Sequence, residues 1–115
     1  MDASTRTFFV AGVQFRPAPA LIAANAYLTK PDQWHPVCKL VGEPSNKYDK
    51  YAVKVIIIAD EAPEAFIGYI PKPINIDVWA LKDLGYKPEA KVIAYSPNSP
   101  TYEMFKIQDT FTKTT

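Results

Sequence analysis

Tyr48 and Asp49 are the residues of this chain whose types and placement most clearly indicate a recognition site. They follow residues 43–46, a short segment of glutamate, proline, serine and asparagine that predicts a turn. From residue 52 to residue 58 the chain is apolar and rich in β-branched side chains, which is typical of a buried strand. Such a turn uses Asn46 and Asp49 as local hydrogen-bond acceptors, but it has no need of an aromatic ring.

Two interpretations of this pair remain open from the sequence. An exposed aromatic ring beside a carboxylate on a rigid corner can bind a small ligand, because binding residues favour loops held by a firm scaffold. Alternatively, Tyr48 covers the edge of the core and Asp49 only caps the turn.

Residues that could support catalysis or bind a metal are sparse. His35 is the one histidine, so any nucleophile–base pair would depend on it alone. His35 and Cys38 have the spacing of half a zinc site, but no second Cys/His pair completes a tetrahedron. Asp60, Glu61 and Glu64 could hold a hard cation, although they equally suit an exposed charged loop. We therefore expect no enzyme, no metal and no cofactor.

The composition is that of an ordinary globular protein. The chain has 115 residues, 48% of them hydrophobic and 22% charged, which suits one domain over residues 1–115 with its core within residues 5–111. Thirteen basic and twelve acidic residues give a net charge of +1, so any nucleic-acid site must be local. The single cysteine and the lack of a signal peptide or a long apolar run predict a cytoplasmic protein with no membrane segment.

The elements that would position these residues are mostly strands. Apolar and β-branched runs, separated by prolines, predict two helices among six short strands, and this pattern favours a small barrel or a strongly bent sheet. The predicted strands are residues 5–15, 36–42, 52–59, 66–70, 87–95 and 102–111, and the predicted helices are residues 19–28 and 73–84. Gly85 should end the second helix in a left-handed conformation. Leu84 should lie near Trp79 on one face of that helix.

Three segments of the chain together resemble the HIRAN domain, a module of some Snf2-family remodelling ATPases that also occurs alone in bacterial and phage proteins. They are residues 9–15 (FVAGVQF), 39–55 (KLVGEPSNKYDKYAVKV) and 67–72 (IGYIPK). They occur in the family's order and spacing. The resemblance implies a mainly β fold: a six-stranded OB-like or SH3-like β-barrel with two short helices.

The same resemblance implies that the protein binds single-stranded DNA at its 3′ end. Carried over by position, Phe15 and Tyr48 would stack on the terminal bases. Asp49 would accept a hydrogen bond from the free 3′-hydroxyl, and Lys72 would hold a phosphate. Tyr69 would line the same pocket. DNA repair, replication or phage DNA metabolism are the processes that such a module would serve.

Three of these positions differ from the DNA-binding eukaryotic members of the family. Gln14 stands where those members carry an arginine, which removes one cation from the site. Phe15 lacks the hydroxyl group of the corresponding tyrosine, and Tyr69 replaces a histidine. These changes leave the stacking geometry available.

Lysines surround the expected site, and we include Lys47 and Lys50 with Gln14 among the expected DNA contacts. Lys39 and Lys54 lie nearby in the sequence. The alternative is that these are surface lysines, which protect sheet edges from aggregation.

A second class of function also remains open, a protein-interaction module that docks on a DNA-processing or host protein. Aromatic side chains concentrate at the energetic centres of such interfaces. The candidates are Trp34, Trp79, Tyr27 and Tyr86. For Trp79 the competing interpretation is packing of the second helix against the core.

Overall fold

Six antiparallel strands form one curled sheet in the computed structural model, which describes residues 3–28, 36–58 and 64–113. The strands are β1 (Ala3–Phe9), β2 (Val37–Gly42), β3 (Val53–Ile57), β4 (Ala65–Tyr69), β5 (Tyr86–Tyr95) and β6 (Phe105–Lys113). Their order across the sheet is β1-β6-β5-β2-β3-β4. The predicted six-stranded, β-rich architecture with two short helices is confirmed.

The two edge strands of the sheet meet at a single point. Ala11, just beyond β1, pairs with Tyr69 at the end of β4 through two backbone hydrogen bonds of 2.8 Å. Gly68 has a φ of 151°, and a Cβ atom there would lie only 2.4 Å from the carbonyl oxygen of Ala11. We call the Ala11–Tyr69 pair the seam, since it joins the sheet edges into a small barrel. Only glycine at position 68 allows so close an approach of the two backbones.

Two helices flank the sheet. Helix α1 (Ala18–Leu28) packs against β4, and α2 (Ile74–Asp83) packs against β5. Both are short, and no described helix combines the length and the apolar character needed to cross a lipid bilayer. The core lies between the helices and the inner face of the sheet, and its largest fully buried apolar side chains are Phe105, Phe111, Ile57, Ile67 and Ile107.

Arg6 forms two ion pairs, one with a buried carboxylate on the neighbouring strand and one with an exposed carboxylate on α2. Arg6 on β1 stands opposite Asp109 on β6, and its Nε lies 3.3 Å from the fully buried carboxylate of Asp109. The Nη1 of Arg6 also reaches Asp77 on α2 at 3.2 Å. Burial raises the pKa of Asp109, although the Arg6 guanidinium acts in the opposite direction.

Two predicted strands include segments that form 3₁₀ helices instead. The first ends at Phe9, after which Ala11 pairs with Tyr69; Gly12 then adopts a left-handed conformation with φ of 74°, and Val13–Phe15 forms a 3₁₀ helix. The last begins only at Phe105, because Thr101–Glu103 forms a second 3₁₀ helix after Pro100.

The end of the second helix was predicted correctly in one respect and wrongly in another. Gly85 has a φ of 91°, as expected of a left-handed residue after a helix. Leu84 was expected near Trp79 on one face but is exposed, since it lies past the last helical residue.

Candidate functional site

The side chain of Asn46 organises the turn between β2 and β3. Its Oδ1 accepts hydrogen bonds from the backbone N–H groups of Tyr48 at 2.9 Å and Asp49 at 3.0 Å. Its Nδ2 donates to Oε1 of Glu43 at 2.7 Å. An asparagine that bonds the backbone two and three residues ahead is a common means of fixing a turn, so the local sequence determines this corner.

Glu43 connects the turn to the sheet. The hydroxyl of Tyr69 donates to Oε1 of Glu43 at 3.0 Å, and Nζ of Lys54 lies 3.6 Å from Oε2. The pKa of Glu43 is lowered, chiefly because the Asn46 amide donates to it; burial opposes this, and Tyr69 and Lys54 add to the lowering. The pKa of Tyr69 is raised by burial first and by Glu43 second. Tyr69 is therefore held in one position by the network.

Tyr48 extends into solvent. Its side chain is 83% exposed, so it does not cover the edge of the core. Its backbone is nevertheless fixed by Asn46, so the ring is presented from a rigid corner. This placement leaves the face of the ring available to a ligand.

Asp49 is anchored from two sides. Its Oδ1 accepts from the backbone N–H of Tyr51 at 2.9 Å, as the turn-capping interpretation predicts. Its Oδ2 accepts from Nδ2 of Asn75 at 2.9 Å, and Nζ of Lys72 lies 3.8 Å away. A carboxylate has about four acceptor sites, so Asp49 can accept a further donor without losing either bond.

An open pocket of about 350 Å³ lies beside this turn. Four residues predicted for the site share its walls: Tyr48, Asp49, Tyr69 and Lys72. The remaining lining comes from Ala11, Gly12, Asn46, Ala52, Ile70, Pro71 and Asn75. The pocket therefore combines an apolar floor with one exposed ring, one carboxylate and one ammonium group.

The other predicted contacts are not part of this lining. Gln14 and Phe15 are exposed on the first 3₁₀ helix, not on a strand, and Phe15 is 75% exposed. Lys47 and Lys50 are also exposed, and each ammonium group lies 5.2 Å from the ring of the next residue, Tyr48 or Tyr51.

Sequence reasoning missed two polar residues next to the site. Asn75, on the first turn of α2, is 1% exposed, and its Oδ1 has no hydrogen-bond partner among the described residues. Arg16 places its guanidinium carbon 3.9 Å from the centroid of the Phe66 ring. Neither residue belongs to a local motif, and a single asparagine in the first turn of a helix is only a weak indication of a binding site.

The candidates for metal binding lie largely outside the described residues. Those outside are His35, Asp60 and Glu61. Trp34, a candidate for the protein-interaction surface, also lies outside the described residues. Cys38 is described and buried, and burial raises the pKa of its thiol to about 12. In the described part of the chain, no three His, Cys, Asp or Glu side chains are grouped so that they could hold a metal ion.

Two solved structures are similar to this chain over nearly its whole length. The HIRAN domain of human HLTF has 17% sequence identity, and the match covers 94% of this chain and 74% of that one, with a TM-score of 0.62. A structural-genomics protein from Lactobacillus plantarum also has 17% identity, with 96% and 100% coverage and a TM-score of 0.68. No protein-family model and no curated protein matches the sequence. At this identity the likeness establishes the architecture, and the chain has a HIRAN-like fold.

Proposed function

We propose that this protein is a non-catalytic module that binds the 3′-hydroxyl end of single-stranded DNA in the pocket beside Tyr48. The observation that carries the proposal is the pairing of an exposed, firmly held ring with an anchored carboxylate, Asp49, in one pocket. The HIRAN-like fold supports it, as do the sequence segments that resemble this family. We further propose that it acts in DNA repair, replication or phage DNA metabolism in the cytoplasm.

The Tyr48 ring is the stacking platform in this proposal. Because every base has a π face, stacking on an aromatic side chain is tolerant of sequence and contributes about 1–3 kcal/mol per base. The apolar lining from Ala52, Ile70 and Pro71 suits the flat face of a terminal base and the carbons of its sugar.

Asp49 selects the chemistry of the strand end. A carboxylate beside a polyanion is unfavourable unless it accepts a hydrogen bond from a neutral donor, and a 3′-hydroxyl is such a donor. A 3′-phosphate carries negative charge and would be repelled by Asp49. The exposed ammonium of Lys72, 3.8 Å from Asp49, is placed to contact the phosphate that precedes the terminal sugar.

Fluorescence anisotropy with 5′-labelled ten-nucleotide thymidine strands tests this function. We expect the strand with a 3′-hydroxyl to bind at least about tenfold more tightly than the same strand with a 3′-phosphate, a difference of about 1.4 kcal/mol. Asp49→Ala should remove most of this preference. Equal affinity of the wild-type protein for the two ends would overturn the proposed end recognition. A magnesium-dependent cleavage assay on the same strands should show no product.

Two of the four aromatic candidates for a protein-interaction surface can be assessed, because Trp34 and the side chain of Tyr27 lie outside the described part of the chain. Trp79 and Tyr86 are partly buried and pack against the core, as the competing interpretation of Trp79 predicted. Neither therefore forms an exposed docking surface.

A further inference from the structure

Arg16 is a cation held in place without a neutralising partner among the described residues. Its guanidinium carbon stands 3.9 Å from the centroid of Phe66, which is close stacking contact. Its Nη2 makes only a long contact of 3.5 Å with the carbonyl oxygen of Phe15, and its Nε is buried without a partner among the described residues. No described carboxylate forms an ion pair with it. A stacked guanidinium still presents donors along its edge, in the fork that suits a phosphate.

Phe66 connects this cation to the pocket. The Phe66 ring meets the Tyr69 ring edge to face, with centroids 5.3 Å apart and an interplanar angle of 81°. Tyr69 in turn lines the pocket. A second cation, Lys54, has its ammonium 5.3 Å from the Phe66 centroid, and Glu43 lies 3.6 Å from that ammonium. One continuous surface therefore runs from the pocket over Tyr69 and Phe66 to Arg16 and Lys54.

We propose that Arg16, assisted by Lys54, forms a second phosphate-binding site for the strand whose 3′ end occupies the pocket. This inference rests on the proposed function and adds to it a direction, since the strand would leave the pocket over Tyr69 and across β4. The phosphates bound there belong to nucleotides upstream of the terminal one, whereas Lys72 serves the end itself. A chain with a net charge of only +1 needs such local cations to hold a polyanion.

The physical advantage of Arg16 is its fixed position. A free surface arginine loses side-chain entropy when it binds, but contact with Phe66 already restricts this guanidinium. Its buried Nε shows that the stem is also packed. The donors that remain can bind one phosphate at little further ordering cost.

The dependence of binding on salt tests the site. For single strands, the plot of log K against log salt concentration becomes shallower by about 0.7 for each phosphate that the protein no longer neutralises. We expect Arg16→Met, which keeps an unbranched apolar stem over Phe66, to make the slope for the ten-nucleotide strand shallower by about this amount. Lys54→Met should also make the slope shallower. The matched control is Lys87→Met on β5, which also removes one exposed cation and should leave the slope unchanged.

The outcomes separate this inference from the function on which it rests. One outcome is that the wild type distinguishes the two 3′ ends while Arg16→Met and Lys54→Met have the same salt slope as the wild type. In that case the proposal of a second phosphate site is wrong and the end-binding function stands. If the wild type binds no strand at low salt, both proposals fall. If Lys87→Met changes the salt slope as much as Arg16→Met does, binding depends on non-specific electrostatic attraction. The proposed course of the strand over Phe66 is then wrong. Urea unfolding curves of each variant verify that the fold is retained.

Discussion

Asn75 holds Asp49 across the pocket: the amide Nδ2 of Asn75 donates to Oδ2 of Asp49 at 2.9 Å and to the carbonyl oxygen of Tyr51 at 3.0 Å. One buried side chain on α2 thereby fixes both a carboxylate and the backbone of the turn between β2 and β3. Asn75 is a positioning residue in this arrangement, and its Oδ1, which has no partner among the described residues, adds an unused acceptor beside the pocket.

Replacing Asn75 with alanine should therefore affect both stability and binding. The partly buried carbonyl of Tyr51 loses its side-chain donor, and the loss of such a hydrogen bond costs about 0.5–1.5 kcal/mol. Asp49 keeps the backbone bond from Tyr51 and the ion pair with Lys72 but loses its one side-chain hydrogen bond, so the preference for a 3′-hydroxyl over a 3′-phosphate should decrease. Urea unfolding and the two-strand anisotropy assay measure these effects. Ile76→Ala, at the neighbouring exposed position, is the control; equal effects of both substitutions would show that Asn75 does not position Asp49.

Tyr48→Ala should weaken strand binding without destabilising the protein. The ring is exposed, so its removal costs little packing, whereas the loss of one stacked base costs about 1–3 kcal/mol of binding free energy. Anisotropy titration and thermal unfolding separate the two effects. Tyr102→Ala removes an equally polar, exposed ring from the second 3₁₀ helix and should leave binding intact. An unchanged dissociation constant for Tyr48→Ala would remove this ring from the binding surface.

The buried carboxyl of Asp109 should make the free energy of unfolding depend on pH. Its pKa is raised in the folded state above the ordinary 3.8, so its contribution is most favourable below that value and is lost as the pH rises through the folded pKa. Asp109→Asn cannot ionise and keeps an acceptor for Arg6. The stability of this variant relative to wild type should therefore increase from pH 3 to pH 7.

Urea unfolding at pH 3, 5 and 7 measures this trend. Asp83→Asn, at an exposed position of α2, controls for the loss of one acidic side chain. A relative stability of Asp109→Asn that falls with rising pH would mean that the pairing with Arg6 outweighs the effect of burial.

Gly68→Ala should be much more destabilising than Gly85→Ala. Both glycines have positive φ, so each substitution strains the backbone, by about 1–3 kcal/mol. At Gly68 the new Cβ would also meet the carbonyl oxygen of Ala11 at 2.4 Å, whereas nothing lies within 4 Å at Gly85. Forcing the seam apart adds about 1–3 kcal/mol. Urea unfolding compares the two variants, and equal losses would show that the seam yields without cost.

The turn and its two recognition residues could be predicted because the interactions that build them are local. Asn46 bonds Tyr48 and Asp49 within three residues, so the composition of the segment contains the necessary information. Strand ends were harder: the strand pattern continues through Gly12, but β1 ends at Phe9, and the chain enters a 3₁₀ helix after the left-handed Gly12.

The tertiary partners of the site could not be predicted. Asn75 and Asp49 are 26 residues apart in the chain, and their hydrogen bond depends on how α2 docks against the sheet. Arg16 similarly meets Phe66 only because the 3₁₀ helix after β1 lies over β4. No pattern of spacing in one sequence reports such contacts.

The seam is also part of the pocket lining. Ala11 and Tyr69 form the hydrogen-bonded join between the sheet edges, and both also line the pocket. A fluctuation that separates Ala11 from Tyr69 would also disrupt this part of the pocket lining. A ligand bound there would therefore stabilise the closed barrel. Ligand binding and closure of the barrel are therefore thermodynamically coupled: the Ala11–Tyr69 junction would be more protected from opening whenever the pocket is filled.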